Sequence, residues 1–344
     1  MHKKVVSLCL FGALLFSLTL GLTGCSGSSK TEYCFGIVSD GNALSDDHLN
    51  QGAWDALREQ ADRYQFQYGY ARSQSNDTSS FMAGVDYLVG EGANVIILPG
   101  VLFADAFLEA CAKYPDINFI AIDCNPETVP QNGAAIVFDK SQAGFLAGYA
   151  AALELDDASF GGVFGKSDEA ALELISGFMQ GIEQAGGRSN AAYFRFVDSR
   201  TSYPKGQQLA ATLFEEGVTC LLTGSDPTGM GALAEARTRR QAGDDIWAVT
   251  SDANGHKTAL YDQEQDLSAS LTTAMCDYGY ALTSLIEQLL ESEADVFGST
   301  HIFDLGSGGI GLPEENPHLS EDTLKSVESA AEAIKNGEIV ITVK

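Results

Sequence analysis

Three aspartates stand where apolar runs end. Asp40 closes Tyr33–Ser39, Asp123 closes Asn118–Ile122, and Asp252 lies just past Ile246–Thr250. A carboxylate in such a place can accept two hydroxyl or N–H donors from a polar solute. It can also cap the helix that follows a strand, and for any one of them the cap is the plainer reading. Their recurrence in both halves of the chain points to a ligand rich in hydroxyl or amino groups. Pro99-Gly100, Gly165-Lys166, Asp198 and Ser225-Asp226 hold comparable strand-end positions.

Other chemistries fail on spacing. Gly161-Gly-Val-Phe-Gly165-Lys166-Ser167 falls one residue short of the loop that wraps nucleotide phosphates. The histidines (His2, His48, His256, His301, His318) include no pair at i, i+4 and no HExxH, so no metal site is expected. No GxSxG elbow is present. Asp46-Asp47 reads as a solvated loop or helix cap rather than a glycoside-cleaving pair. Asn76-Asp-Thr78 matches a glycosylation sequon by chance. Neither a catalytic residue nor a cofactor is expected.

The start of the chain carries a different signal. His2, Lys3 and Lys4 precede an almost wholly apolar run from Val5 to Leu20, which ends at Leu22-Thr-Gly-Cys25. A basic start, a short greasy run and small residues before one cysteine form a bacterial lipoprotein signal, expected over residues 1–24. The run is shorter than the roughly 20 residues of a spanning helix. Cys25 is the expected lipidation site, followed by a polar tether over 25–32. Two lipid attachments give the stable anchoring that one chain does not.

Composition narrows the partners. The chain of 344 residues has 20 basic and 47 acidic side chains, a net charge of −27. Such a surface excludes nucleic acid, which needs clustered Lys and Arg. An anionic bilayer would repel it as well, so the lipid must anchor it. Cys34, Cys111, Cys124, Cys220 and Cys276 remain in the mature chain, without CxxC spacing and in odd number. They read as buried thiols that act as small hydrophobes.

The elements that must position the strand-end acids follow from periodicity. Strand signals cover 33–39, 94–98, 118–122, 160–164, 192–197, 219–222, 246–250 and 267–272. Helical spacing marks 49–64, as in Leu49, Ala53, Leu57, Ala61 and Tyr64, and then 103–113, 141–155, 170–185, 204–216 and 228–240. Short apolar strands alternating with helices predict parallel sheets covered on both faces. The length suits two domains, so the expected class is α/β with two doubly wound lobes. In such folds ligands sit at the carboxyl ends of the strands.

Several stretches occur in order along the chain: Ser39-Asp40-Gly41 with Asp46-Asp-His-Leu-Asn-Gln51-Gly-Ala-Trp54, Gly100-Val-Leu-Phe-Ala-Asp-Ala-Phe107, Tyr114–Asp123 and Phe145-Leu-Ala-Gly-Tyr-Ala-Ala151. Gly177-Phe-Met-Gln-Gly181, Thr228-Gly-Met-Gly231, Ala248-Val-Thr-Ser-Asp252, Gly308-Gly-Ile-Gly-Leu312 and Ile334–Ile339 follow. Together they resemble the basic membrane protein (BMP) family, nucleoside-binding lipoproteins of ABC importers, through nearly all of the mature chain. The resemblance implies a type I periplasmic-binding-protein fold with a ligand trapped between two lobes by hinge closure. It places the lobes at 33–138 plus 253–291 and at 139–252 plus 292–344.

The resemblance also implies ligand contacts at Asp40, Asn50, Asp123, Gly229 and Asp252. Three positions depart from the family pattern. The aromatic before Asn-Gln is Leu49, a second stacking aromatic is Arg200, and a ribose-side lysine falls at Cys276. A guanidinium can still stack on a planar base, whereas leucine gives only apolar contact. The implied solute is a nucleoside or related compound. The implied partner is a membrane ABC permease, and the location is extracytoplasmic and lipid-anchored. The same fold would serve a sensory binding protein for a sugar or another small ligand. A secreted nucleoside or glycoside hydrolase is a third reading, and no nucleophile–base arrangement supports it.

Overall fold

The computed structural model describes residues 33–40, 49–252, 255–292 and 295–343, with only the backbone of Leu49 and Asp252. The leader, Cys25, the tether and Asp46-Asp47 lie outside the described residues. The chain begins β1 (Cys34–Ser39), α1 (Leu49–Tyr64), β2 (Gln67–Arg72), α2 (Thr78–Gly90), β3 (Val95–Pro99), α3 (Ala104–Lys113), β4 (Asn118–Ile122) and β5 (Gly133–Phe138). It continues α4 (Lys140–Glu154), β6 (Phe160–Phe164), α5 (Glu169–Gln184), β7 (Phe194–Phe196), α6 (Tyr203–Glu215), β8 (Cys220–Thr223), α7 (Pro227–Gln241) and β9 (Trp247–Asp252). After α8 (Gly255–Thr258), β10 (Leu260–Asp262), β11 (Leu267–Ser268) and β12 (Ser270–Cys276) come α9 (Tyr278–Glu291), β13 (Ser299–Phe303), β14 (Ile310–Gly311) and α10 (Glu321–Lys335).

Two six-stranded sheets result, in the orders β13-β5-β4-β3-β1-β2 and β14-β12-β9-β8-β6-β7. The first is parallel throughout. In the second, only β14 runs antiparallel to its neighbour. Central strands such as β3 (VIILP) are buried along their whole length, as strands covered on both faces must be. Among the described residues Cys34 is half-buried and Cys111, Cys124, Cys220 and Cys276 are buried, none of them in a disulfide.

The expected lobe boundary at residue 252 is corrected by strand pairing. Ser270–Met275 of β12 lies parallel to Ala248–Asp252 of β9, in the second sheet. Ser299–Phe303 of β13 pairs with Ala134–Phe138 of β5, in the first. The physical reason is local. The short α8 and the β10–β11 hairpin return the chain beside β9, whereas the first lobe is reached only after Cys276. The crossings therefore fall at Asp139, at Asp277 and between Phe303 and Ile310. Aromatic rings pack where these crossings meet. Phe138 stacks on Tyr278 at 5.4 Å and 7°, and Phe303 lies 5.9 Å from Phe138.

The crossings also exchange helices. The helix after β5 in the first sheet, α4, packs on α5 of the second lobe, and the helix after β12, α9, packs on α1 of the first. The chain's end is tied back to the second lobe, where Thr342 accepts from Ser176 Oγ at 3.0 Å and donates to Gln180 Oε1 at 3.0 Å.

Candidate functional site

The carboxyl ends of both sheets face a cavity of about 340 Å³ between the lobes. That volume falls within the small-molecule range. Of the strand-end positions singled out in the sequence, Asp40, Pro99, Gly100, Asp123, Gly165, Lys166, Ser225 and Asp226 line it, while Asp198 does not. The side chain of Asp252 is outside the described residues, but its neighbours Thr250, Ser251 and Gly255 are part of the wall.

On the first lobe, Asn50 sits in the first turn of α1 and is buried. Its Nδ2 donates to Asp40 Oδ1 at 2.9 Å. A carboxylate only accepts, so it fixes the amide with nitrogen toward Asp40. Asn50 Oδ1 is then left buried without a hydrogen-bond partner, an acceptor in want of a donor.

Asp123 follows β4 with φ +59°, a left-handed conformation that aspartate tolerates better than most residues. Its backbone N–H extends the β4–β5 ladder by donating to Ile136 O at 2.8 Å. Its carboxylate accepts from Lys140 Nζ at 2.8 Å, with both side chains about nine-tenths buried.

The second lobe presents a charged wall. Arg200, past β7, donates to Asp168 and, at 3.5 Å, to Asp226. Both carboxylates also cap helices. Asp168 accepts from Ala171 N at 3.1 Å for α5, and Asp226 accepts from Gly229 N at 2.9 Å for α7. Burial pushes the Asp226 carboxyl above its usual range, against the lowering effect of the Gly229 amide and of Arg200. The cap and the ligand readings of a strand-end acid are thus not exclusive. Phe103, Leu102, Phe164 and Leu174 supply the apolar walls.

Two expected contacts are placed elsewhere. Gly229 does not line the cavity. Its amide is used by Asp226, and a Cβ there would be driven into the Gly224 carbonyl, so the glycine allows the close approach of α7 to the β8 exit. Cys276 is buried in β12 opposite Ile310 and is likewise absent from the lining. Leu49 begins α1, with its side chain outside the described residues.

The cation at this end of the cleft is Lys140, which the sequence reading passed over. Its signal was Asp139-Lys140 directly after the apolar Ala134–Phe138, a strand left unrecognised because Gly133-Ala-Ala dilutes it. Among the described residues, no group of three His, Cys, Asp or Glu is placed to share a metal ion.

The geometry is that of an interlobe cleft with apolar walls and polar or charged side chains at the strand ends. The family model described as "ABC transporter substrate-binding protein PnrA-like" matches residues 36–344. The chain belongs to this Bmp family. It is similar to the "ABC transporter nucleoside-binding protein BmpA" of Lactococcus lactis, at 22% identity with all of both chains covered. It is also similar to the "CD4+ T-cell-stimulating antigen" of Listeria monocytogenes, at 23% identity and full coverage of both. Among solved structures, an ABC transporter solute-binding protein from Aeropyrum pernix superposes with a TM-score of 0.71 at 17% identity, over 90% of this chain and 94% of that one. One from Conexibacter woesei gives 0.66 at 20% identity, over 90% and 99%. The α/β periplasmic-binding-protein class expected from the sequence is the fold found. This Bmp family member is therefore an ABC transporter substrate-binding protein.

Proposed function

We propose that the chain is an extracytoplasmic lipoprotein that captures a nucleoside or related neutral polar solute by hinge closure and delivers it to an ABC permease without chemical turnover. The observation that carries the ligand class is the buried, unpartnered Asn50 Oδ1 beside Asp40, an acceptor pair suited to the N–H edge of a base. Asp123, which lines the cleft, supplies a carboxylate for sugar hydroxyls. Arg200 is held through its in-plane N–H groups by two carboxylates, an arrangement that keeps a guanidinium face for stacking. A relative named as nucleoside-binding supports the same class.

Anchoring rests on the Leu22–Cys25 signal. No helix among the described residues is long and apolar enough to cross a membrane.

Titration calorimetry with inosine, adenosine, guanosine and uridine tests the ligand class. Saturable binding that is lost in Asn50→Ala and in Asp123→Ala is expected. Binding of a sugar or amino acid with no response to any nucleoside would overturn the nucleoside reading while leaving the solute-binding role. Release of free base from any nucleoside would overturn the absence of turnover. For the anchor, palmitate labelling of cells should mark the wild type and not Cys25→Ala.

A further inference from the structure

Lys140 breaks two local rules at once. It is the first residue of α4, where the helix dipole disfavours a cation. It is also buried, which lysine avoids unless paired. Violations of this kind gather at functional sites. The ammonium lines the interlobe cavity and meets Asp123 Oδ2 at 2.8 Å. Asp123 belongs to the first lobe and α4 packs in the second, so the pair spans the hinge end of the cleft. Asp139, the cap of α4, is fully engaged with its own helix through Gln142 and Ser141 Oγ. The ammonium itself donates to Asp123, across the crossing from its own helix.

We propose that Lys140 is a positioning residue for the solute: it keeps Asp123 ionised and aimed into the cleft, so that this position accepts hydroxyl or N–H donors of a neutral solute across the physiological pH range. The inference rests on the reading that Asp123 touches the solute. It adds that the selectivity of this acceptor is set by a residue from the opposite lobe. A solute that offers only acceptors at this position is rejected, because the carboxylate cannot donate.

Among the described residues, acids and a thiol lie around the pair. Glu173 and Glu169 come from α5, Asp139 from the α4 cap, and Cys124 follows Asp123. Burial, with Glu169 and Asp139 adding to it, pushes the Glu173 carboxyl up, and burial pushes the Cys124 thiol up. With the ammonium removed, these surroundings favour a neutral Asp123, since burial and nearby acids both oppose its charge.

The test is the pH profile of inosine affinity, measured by calorimetry between pH 6 and 8 for the wild type and for Lys140→Met, Lys140→Gln and Lys140→Arg. The wild type and Lys140→Arg should be flat. Lys140→Met and Lys140→Gln should bind at least about tenfold more weakly at pH 6 than at pH 8, the loss expected when a buried carboxylate loses its opposite charge. Asp123→Asn combined with Lys140→Met should be weak and flat. Glu173→Gln added to Lys140→Met should leave the slope in place.

A flat profile at wild-type affinity in Lys140→Met would overturn the proposal. Should no nucleoside bind the wild type, the ligand reading fails, and the solute-free protein still decides. Carbon-13 titration of the Asp123 carboxyl should move to higher pH in Lys140→Met or, where that variant does not fold, in Lys140→Gln. An unchanged titration would refute the positioning role.

Discussion

The same helix–helix crossing is built twice in this molecule and packed in two different ways. In the first lobe α1 crosses α9, and in the second α5 crosses α4. Each pair joins the helix after the first strand of its sheet to one sent over from the other lobe. In the second lobe, Gly144 and Gly148 of α4 face the backbone of α5, and Gly177 and Gly181 face the backbone of α4, so closely that any Cβ would enter a carbonyl. In the first lobe, a Cβ on Gly52 would stop 3.8 Å from Gly279 N, an ordinary contact. Equivalent topology thus does not set equivalent tolerance. The helix that carries Lys140 is locked against its lobe by backbone contact on four glycines, whereas at the α1–α9 crossing the tightest approach is a Cβ on Gly279 meeting the Gly52 carbonyl at 3.0 Å, a closer fit than at Gly52 but looser than any at α4–α5.

The sharpest way to break this comparison is to add one methyl group to each crossing. Gly148→Ala should destabilise the protein by about 1–3 kcal/mol or more, because overpacking cannot relax against a backbone carbonyl. Gly52→Ala should stay within roughly 0.5 kcal/mol, helped by the better helix propensity of alanine. Denaturant midpoints measure both, and equal losses would refute the asymmetry.

A smaller effect separates the two cleft walls. Arg200→Ala strands the buried Asp226 carboxylate and should cost about 1–3 kcal/mol, after allowance for the partly exposed guanidinium. Arg200→Lys should fail to restore it, since one ammonium does not span two carboxylates as a planar fork does. Full rescue by lysine would show that charge alone matters there.

The smallest effect is a pH term confined to the second lobe. His318 packs 5.0 Å from Trp247 and 5.5 Å from His256. Burial, then His256 and Arg240, holds its imidazole below the usual value of 6.5. The unfolded chain therefore takes up this proton first as pH falls. Stability should be intact above about pH 6.5 and decline as pH drops from there toward the folded value. His318→Phe should flatten that part of the pH–stability curve, and an unchanged slope would assign it to other groups.

The alternation of strand and helix was legible because most strands are continuous apolar runs, such as Asn118–Ile122. Edge strand β2 (QYGYAR) was not. Its side chains alternate and only Ala71 is buried, so it lacks the run that marks a central strand. Sheet membership was the larger loss. Nothing in the local pattern of Ser270–Cys276 or Ser299–Phe303 states which sheet a strand joins, because that is decided by the crossings between them.

Asp40, Asn50, Asp123 and Arg200, singled out from strand ends and motif likeness, all line the cavity. Lys140 was missed because its chemistry depends on a partner in another lobe. Cys276, assigned from the family resemblance, lies in β12 opposite Ile310 and outside the cavity lining, because motif likeness does not tell which side of a strand faces the cleft.

The order of synthesis adds a burden that the finished fold hides. β13, the outer partner of β5, is Ser299–Phe303, and every strand of the second sheet except β14 precedes it in the chain. As the polypeptide emerges, the first sheet holds an open edge at β5 until almost the whole protein has been made. Neither lobe can be completed by a contiguous fragment, so a chain truncated near residue 290 would leave the β5 edge exposed and prone to pair with other molecules.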